Sequence, residues 1–364
     1  MDCCTPVDPP ANERGSYDLP PRMLSRRQLL HGVIVAAGAV GLAACGVRGG
    51  PGAEGDRPQG GELEKVTLAF CGQLLCVVPY EVTRDAGYFA DEGLDVELIY
   101  SRGGGDAVQA LNGGAVDYAA SSFDAQLGAV ASGATIKRFM TTGRLPLFAL
   151  ATATDLADEI TDIEDLTGRQ VGVSALGNAD HTILLYVLQR AGVDAGSVEF
   201  AALGTNLYDA LRLGQVDAGM VQEPALTRLR DAGARELVNF METDDADEVF
   251  GGAYEFMGVA VRDGEQDERA EQLQGMARAM RRGLERVRTA DVADLLAALP
   301  SELTAGEDLE LLGGIVERYR ESLWPTDVEL DLDAAQRVIT SLTQADVLTS
   351  EVTLDQILDT TVLS

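Results

Sequence analysis

Ala110-Leu111-Asn112-Gly113-Gly114-Ala115-Val116-Asp117 and, further along, Ala210-Leu211-Arg212-Leu213-Gly214-Gln215-Val216-Asp217 repeat one phrase. Each reads as the end of a helix, a glycine turn, and Val-Asp entering a strand. Glycine supplies the left-handed backbone that closes a helix. Either copy alone is a generic helix-to-strand turn. Two copies in matching places imply two similar lobes.

Short apolar runs alternate with helical stretches around both copies. Around the first, strands are expected at 66–70, 94–100, 116–120, 136–142 and 147–153, with helices at 79–86, 106–112 and 124–131. Pro79 is expected to open its helix, since proline suits the first turn. Around the second, strands are expected at 170–174, 198–201, 217–221 and 236–240, with helices at 181–191, 207–213 and 224–232. A returning strand follows at 256–261, and beyond Asp267 the chain reads as mostly helical. Alternating strand and helix implies α/β architecture, each lobe a mainly parallel sheet flanked by helices. The expected division is 65–153 plus 250–364 for lobe 1 and 154–249 for lobe 2.

Outward from the lobes, the N-terminal stretch reads as an address label. Ser25-Arg26-Arg27-Gln28-Leu29-Leu30 precedes an apolar run and then Leu42-Ala43-Ala44-Cys45. Paired arginines before such a run match a twin-arginine export signal. The run is too short for the ~20 residues of a bilayer span. The small residues before Cys45 resemble a bacterial lipobox, cut before a cysteine that then carries lipid. Residues 1–44 are expected to be a signal peptide, Cys45 the lipid anchor, and 45–64 a flexible tether rich in Gly and Pro. Met23 is an alternative start for translation. The protein is expected outside the cytoplasm, lipid-anchored to the cell membrane.

The chain carries 59 acidic against 28 basic residues, a net charge of −31. Residues 1–44 hold four of each sign, so cleavage leaves the balance unchanged. Such a surface repels a phosphate backbone, which argues against nucleic-acid binding. It suits concentrated salt, where charges are screened within ~3 Å at 1 M; a salt-adapted prokaryote is the expected source. The cluster Asp244-Asp245-Asp247-Glu248 lacks the spacing of a calcium loop and reads as a solvated face or loop. Cleavage would leave Cys45, Cys71 and Cys76. The last two form either a disulfide or two free thiols lining a pocket. One histidine, His181, would remain, so no metal site is expected.

Several stretches together resemble a known family. Residues 84–98, Arg-Asp-Ala-Gly-Tyr-Phe-Ala-Asp-Glu-Gly-Leu-Asp-Val-Glu-Leu, are similar to a signature of the substrate-binding proteins of nitrate, sulfonate and taurine ABC importers. Gly103-Gly104-Gly105, both copies of the phrase, residues 166–173 (Leu-Thr-Gly-Arg-Gln-Val-Gly-Val) and Glu223-Pro224-Ala225 match in order and spacing. These proteins share a fold with thiamine-pyrimidine precursor binders. The resemblance implies a type II clamshell that holds a small molecule in its cleft. It would deliver a sulfonate-, taurine-, nitrate- or pyrimidine-like solute to a membrane permease and its ATPase. It would act as a monomer without cofactor and without catalytic residues. The alternatives are an enzyme related to the pyrimidine-precursor synthases, and a solute sensor without transport. The chain has no iron-type Cys and His cluster, no Gly-x-Ser-x-Gly elbow and no phosphate loop.

In open α/β sheets ligands lie beyond the carboxyl ends of the strands. That places Cys71, Gln73 and Leu74 after the first strand, Arg102 and Gly103–Gly105 after the second, and Ser121 and Ser122 after the third. In the second lobe it selects Gly177, Asn178 and His181, then Asn206, then Gln222 and Glu223. Gly103–Gly105 is an anion cradle or a flexible turn. Ser121 and Ser122 donate hydroxyls or cap a helix. Gln73 and Gln222 read polar edges of a ligand or lie on the surface. Glu223 suits a cationic or amide-bearing ligand. Arg102 pairs with a sulfonate or carboxylate, or with a surface acid. His181 contacts ligand or merely packs.

Overall fold

The computed structural model describes residues 62–348 and 350–363. The export motif at Arg26-Arg27, the anchor Cys45 and tether residues 46–61 lie outside the described residues. Among the described residues no helix is long and apolar enough to cross a membrane, and no group of His, Cys, Asp and Glu side chains is placed to hold a metal ion.

The chain builds β1 (Glu64–Cys71), α1 (Leu74–Asp85), α2 (Tyr88–Asp91), β2 (Leu94–Ser101), α3 (Gly104–Asn112), β3 (Tyr118–Ser122), α4 (Phe123–Ala131) and β4 (Ile136–Arg144). It crosses to a second sheet with β5 (Ala149–Thr152), β6 (Gln170–Val173), α5 (Ala179–Arg190), β7 (Glu199–Ala202), α6 (Leu207–Arg212), β8 (Ala218–Val221), α7 (Ala225–Asp231) and β9 (Glu236–Asn239). Through α8 (Thr243–Phe250) it returns to the first sheet as β10 (Glu255–Arg262). The helices α9 (Ala270–Thr289), α10 (Val292–Ala297), α11 (Ser301–Thr304), α12 (Leu309–Leu323), α13 (Leu332–Gln344) and α14 (Leu354–Ile357) follow.

Both sheets have the same plan. The orders are β2-β1-β3-β10-β4 and β7-β6-β8-β5-β9. Four strands of each run one way; β10 in the first and β5 in the second run against their neighbours. These two are the strands by which the chain enters a sheet after crossing over. The molecule is therefore two-lobed α/β, with mainly parallel mixed sheets.

The repeated phrase does the same work in each lobe. Gly114 (φ 74°) and Gly214 (φ 63°) turn left-handed after their helices. Ala115 N–H donates to Ala110 O and Gln215 N–H to Ala210 O, each at 2.8 Å, a bond that satisfies a free helix-end carbonyl. Leu111, Leu211, Val116 and Val216 are buried. The aspartates then tie adjacent strands: Asp117 Oδ2 accepts Thr67 N–H at 2.9 Å, and Asp217 Oδ2 accepts Gln170 N–H at 2.8 Å.

Three local expectations change. The helix expected at 79–86 starts earlier, at Leu74, with Pro79 inside it. Its first turn is drawn inward by Leu74, Leu75, Val77 and Val78, all buried, while Thr83 Oγ1 donates to Pro79 O at 2.6 Å. The strand expected at 116–120 is Tyr118–Ser122, because Val116 and Asp117 still belong to the turn. The acidic cluster lies on a helix, α8, where Asp245 Oδ2 accepts Asn239 N–H at 2.8 Å and the other acids face solvent.

The C-terminal helices touch both lobes. Tyr319 of α12 accepts Asn239 Nδ2–H at 3.0 Å, and α13 packs on α4 and on α5. At the crossings, Arg138 of β4 is 0% exposed and pairs with Glu255 of β10 at 2.6 Å. Its Nη1 donates to Phe256 O at 3.0 Å.

Candidate functional site

A cleft of about 490 Å³, its open mouth included, lies where strand ends of the two sheets face each other. The first lobe lines it with Cys71, Gln73, Cys76, Arg102, Gly103, Gly104, Gly105, Ser122 and Ala125. The second lines it with Ser174, Asn178, Ala179, Asp180 and Gln222. Leu147 and Phe148, just before β5, and Phe256 and Met257, at the start of β10, complete the lining where the chain passes between the sheets.

Nine of the residues expected from the sequence thus meet in one place: Cys71, Gln73, Arg102, Gly103, Gly104, Gly105, Ser122, Asn178 and Gln222. The other six do not line the cleft. Leu74 is buried as the first residue of α1. Ser121 is buried and accepts Gln126 Nε2–H at 3.1 Å. Gly177 lies in the adjoining loop, and its N–H donates to His181 Nδ1 at 3.1 Å. His181 sets its ring edge-on against Phe200, with centroids 4.9 Å apart, and burial lowers its pKa. Asn206 is exposed at the start of α6. Glu223 turns inward: its carboxylate accepts Thr227 N–H and Oγ1–H at 3.0 Å and Tyr319 O–H at 3.2 Å.

The β1–α1 turn is closed by a disulfide between Cys71 and Cys76. Gln73 stands between them as the N-cap of α1, and its side chain makes no capping bond. Gly103 and Asn178, the N-caps of α3 and α5, make none either. The starts of α1 and α3 therefore offer N–H groups and partial positive charge near the cleft, whereas at the start of α5 the Asp180 carboxylate already accepts the N–H groups of Asp180 and His181. Ser122 caps α4, its Oγ accepting Ala125 N–H at 3.2 Å. The lobes approach closely here: a Cβ on Gly103 would sit 3.4 Å from Asn178 Nδ2.

Among the described residues the one cationic side chain in the lining, Arg102, is 95% exposed and lies 3.3 Å from Asp106. The one carboxylate, Asp180, is buried. It accepts Ser174 N–H and, at 2.8 Å, Ser174 Oγ–H, while Ser174 Oγ accepts Asn178 Nδ2–H at 3.0 Å. Burial raises the Asp180 pKa, and the Ser174 bonds oppose that rise. This chain of bonds fixes the Asn178 amide. Neither Gln73 nor Gln222 makes a side-chain hydrogen bond among the described residues, so both amides are free to bond a guest.

Sequence reasoning missed Asp180 and the four crossing residues. Phe148 and Phe256 meet edge to face at 6.1 Å and form an apolar wall. Their signal in the sequence was only that each opens a strand. That these two strands run against the rest, and so bring their beginnings to the cleft, is a fact of topology.

The profile of the family described as NMT1/THI5 like matches residues 77–290. The chain belongs to that family. A protein from Bordetella bronchiseptica RB50 is 25% identical, with a TM-score of 0.73 over 83% of this chain and 96% of that one. The alkanesulfonate-binding protein SsuA from Xanthomonas axonopodis pv. citri, bound to MOPS, shares the fold at 18% identity and a TM-score of 0.66, covering 83% of this chain and all (100%) of its own. The periplasmic nitrate-binding protein NrtA from Synechocystis PCC 6803 does so at 13% identity and 0.63, over 82% of this chain and 86% of that one. No curated protein matches the chain.

Proposed function

We propose that this NMT1/THI5-like protein is the solute receptor of an ABC importer. It takes a small organic solute or anion, sulfonate-, taurine-, nitrate- or pyrimidine-like, into the cleft between its lobes. One observation carries the reading: Gln73 and Gln222, from opposite lobes, line one cleft with unpaired amides. A guest bonded to both ties the lobes together. The uncapped starts of α1 and α3 favour an anionic or strongly accepting group, and Phe148 and Phe256 suit an apolar part. The neighbours include proteins titled as binding alkanesulfonate and nitrate, and a ligand-binding component of an ABC-type import system from Staphylococcus aureus. The lobe division, the monomeric state and the lipid anchor at Cys45, which would keep the receptor beside its permease, belong to the same proposal.

The test is a thermal-shift screen in high salt over sulfonates, taurine, nitrate, bicarbonate and pyrimidines. A ligand at about 100 times its Kd stabilises by about 2.7 kcal/mol, which raises Tm by several degrees. Gln73→Ala and Gln222→Ala should each weaken that rise. The absence of a shift with every compound overturns the proposed solute class.

A further inference from the structure

Asp124 opens α4 in the first lobe and is 4% exposed. One carboxylate oxygen accepts the Tyr254 hydroxyl at 2.8 Å, while Oδ2 has no hydrogen-bond partner. Tyr254 stands in the return crossing, just before β10. From the second lobe the side chain that bears on the carboxyl is Thr182 of α5. A groove beside the cleft runs from Gly105 and Asn178 to Asp124 and Thr182, so the carboxyl sits on the seam where α4 faces α5. In this arrangement water is excluded, and burial outweighs the bonds that Tyr254, Thr182 and the backbone N–H of Asp124 itself offer the carboxylate. A carboxylate there is disfavoured against the neutral acid. Drawing α5 away from α4 would return water to Oδ2.

We propose that closing the lobes draws a proton onto Asp124, so the closed state is favoured in mild acid and loosens as the carboxyl ionises. This rests on the reading of the molecule as a two-lobed receptor. The surrounding charges are accounted for. Arg138, fully buried and paired with Glu255, favours the carboxylate, as do the hydroxyls of Tyr254 and Thr182; burial is the larger effect and has the opposite sign. Glu255 itself is pushed up to about 7 and so titrates at the upper edge of the same window, which is why Asp124→Asn, where Glu255 is unchanged, serves as the reference. On α5, Asp180 is tied to Ser174, His181 faces Phe200, and the Tyr186 hydroxyl reaches Val249 O. On the other elements against α4, Asp106 pairs with Arg102, Arg262 with Glu265, Arg337 donates to Ala253 O, Asp355 O accepts Lys137, and Asp333 is exposed.

Burial in the closed seam raises the Asp124 pKa from 3.8 to about 6. With an ordinary value when hydrated, the closed state is fully favoured below 3.8 and loses its advantage as pH rises towards 6. The closed-to-open ratio falls by up to about 100-fold in all, roughly tenfold of it between pH 5 and pH 7.

The test is amide hydrogen exchange of the full chain without ligand at pH 5 and pH 7, corrected for intrinsic exchange and read over α4 and the first turns of α5. Wild type should lose protection there by about tenfold on going to pH 7. Asp124→Asn, neutral at both values, should show no such loss. Tyr254→Phe removes a donor to the carboxylate and should move the loss to higher pH, which keeps the test alive if Asp124→Asn does not fold. Equal wild-type protection at both pH values, or the same loss in Asp124→Asn, or an unmoved loss in Tyr254→Phe, overturns the proposal. Because no solute is used, that failure would leave the receptor reading to its own screen.

Discussion

Replacing Gly258 by alanine puts a methyl group into the buried Arg138 side chain. The new Cβ would stand 2.2 Å from Arg138 Cζ and Nη2 and 2.4 Å from Nε, where carbon contacts need well over 3 Å. The guanidinium has nowhere to go. It is held by Phe256 O at 3.0 Å, Thr141 Oγ1 at 3.2 Å and Glu255 at 2.6 Å, and it is 0% exposed. Overpacking alone costs about 1–3 kcal/mol. Pushing Arg138 off Glu255 leaves uncompensated buried charge, worth about 3–5 kcal/mol when a buried pair is broken. These overlap, so the expected loss is about 3–5 kcal/mol, or a fall in Tm of roughly 5–8 °C for a fold of this size. Differential scanning calorimetry of Gly258→Ala reads the first number. The decisive comparison uses Arg138→Met/Glu255→Gln as background, where a flexible apolar chain replaces the guanidinium. There the alanine should cost less than about 2 kcal/mol. A cost below about 1 kcal/mol in wild type, or an equal cost in both backgrounds, refutes the reasoning.

Other outcomes follow from the same features. Cys71→Ser/Cys76→Ser removes a short cross-link and should lower stability by about 2 kcal/mol by loop entropy, read by urea unfolding under oxidising conditions; an unchanged midpoint contradicts the disulfide. With a net charge of −31, Tm should rise as NaCl goes from low concentration to 1 M, because screening shortens from ~30 Å at 0.01 M to ~3 Å. A flat or falling curve argues against the salt-adapted reading. Cys45→Ala should move the protein from the membrane fraction to the soluble one, and retention would sink the lipobox reading.

Much of the fold was legible because its signals are local. Glycine turns, alternating apolar residues and the phrase ending in Val-Asp each act within a few positions. Helix starts were less legible. Pro79 looked like the first turn of a helix, yet burial of Leu74 to Val78 against the core began that helix a turn earlier. The cleft was half legible by the same logic. Residues just after parallel strands, such as Gln73, Arg102 and Gln222, were reachable from the strand-end rule. Whether such a residue faces the cleft or the core was not. Gln222 turns to the cleft while its neighbour Glu223 is taken by Thr227 and Tyr319, the second on a helix almost a hundred residues away.

By itself the sequence determined two similar α/β lobes, the residues at their strand ends and a strongly acidic net charge. Those follow from short-range periodicity and from charge, which depend little on distant partners. Tertiary structure alone decided that β5 and β10 run backwards and carry Phe148 and Phe256 into the cleft. It alone set Arg138 against Glu255 and buried Asp124 beside Tyr254. The physical reason is one of distance along the chain. Pairing, burial and desolvation join groups far apart in sequence, and no local pattern records which of them will meet.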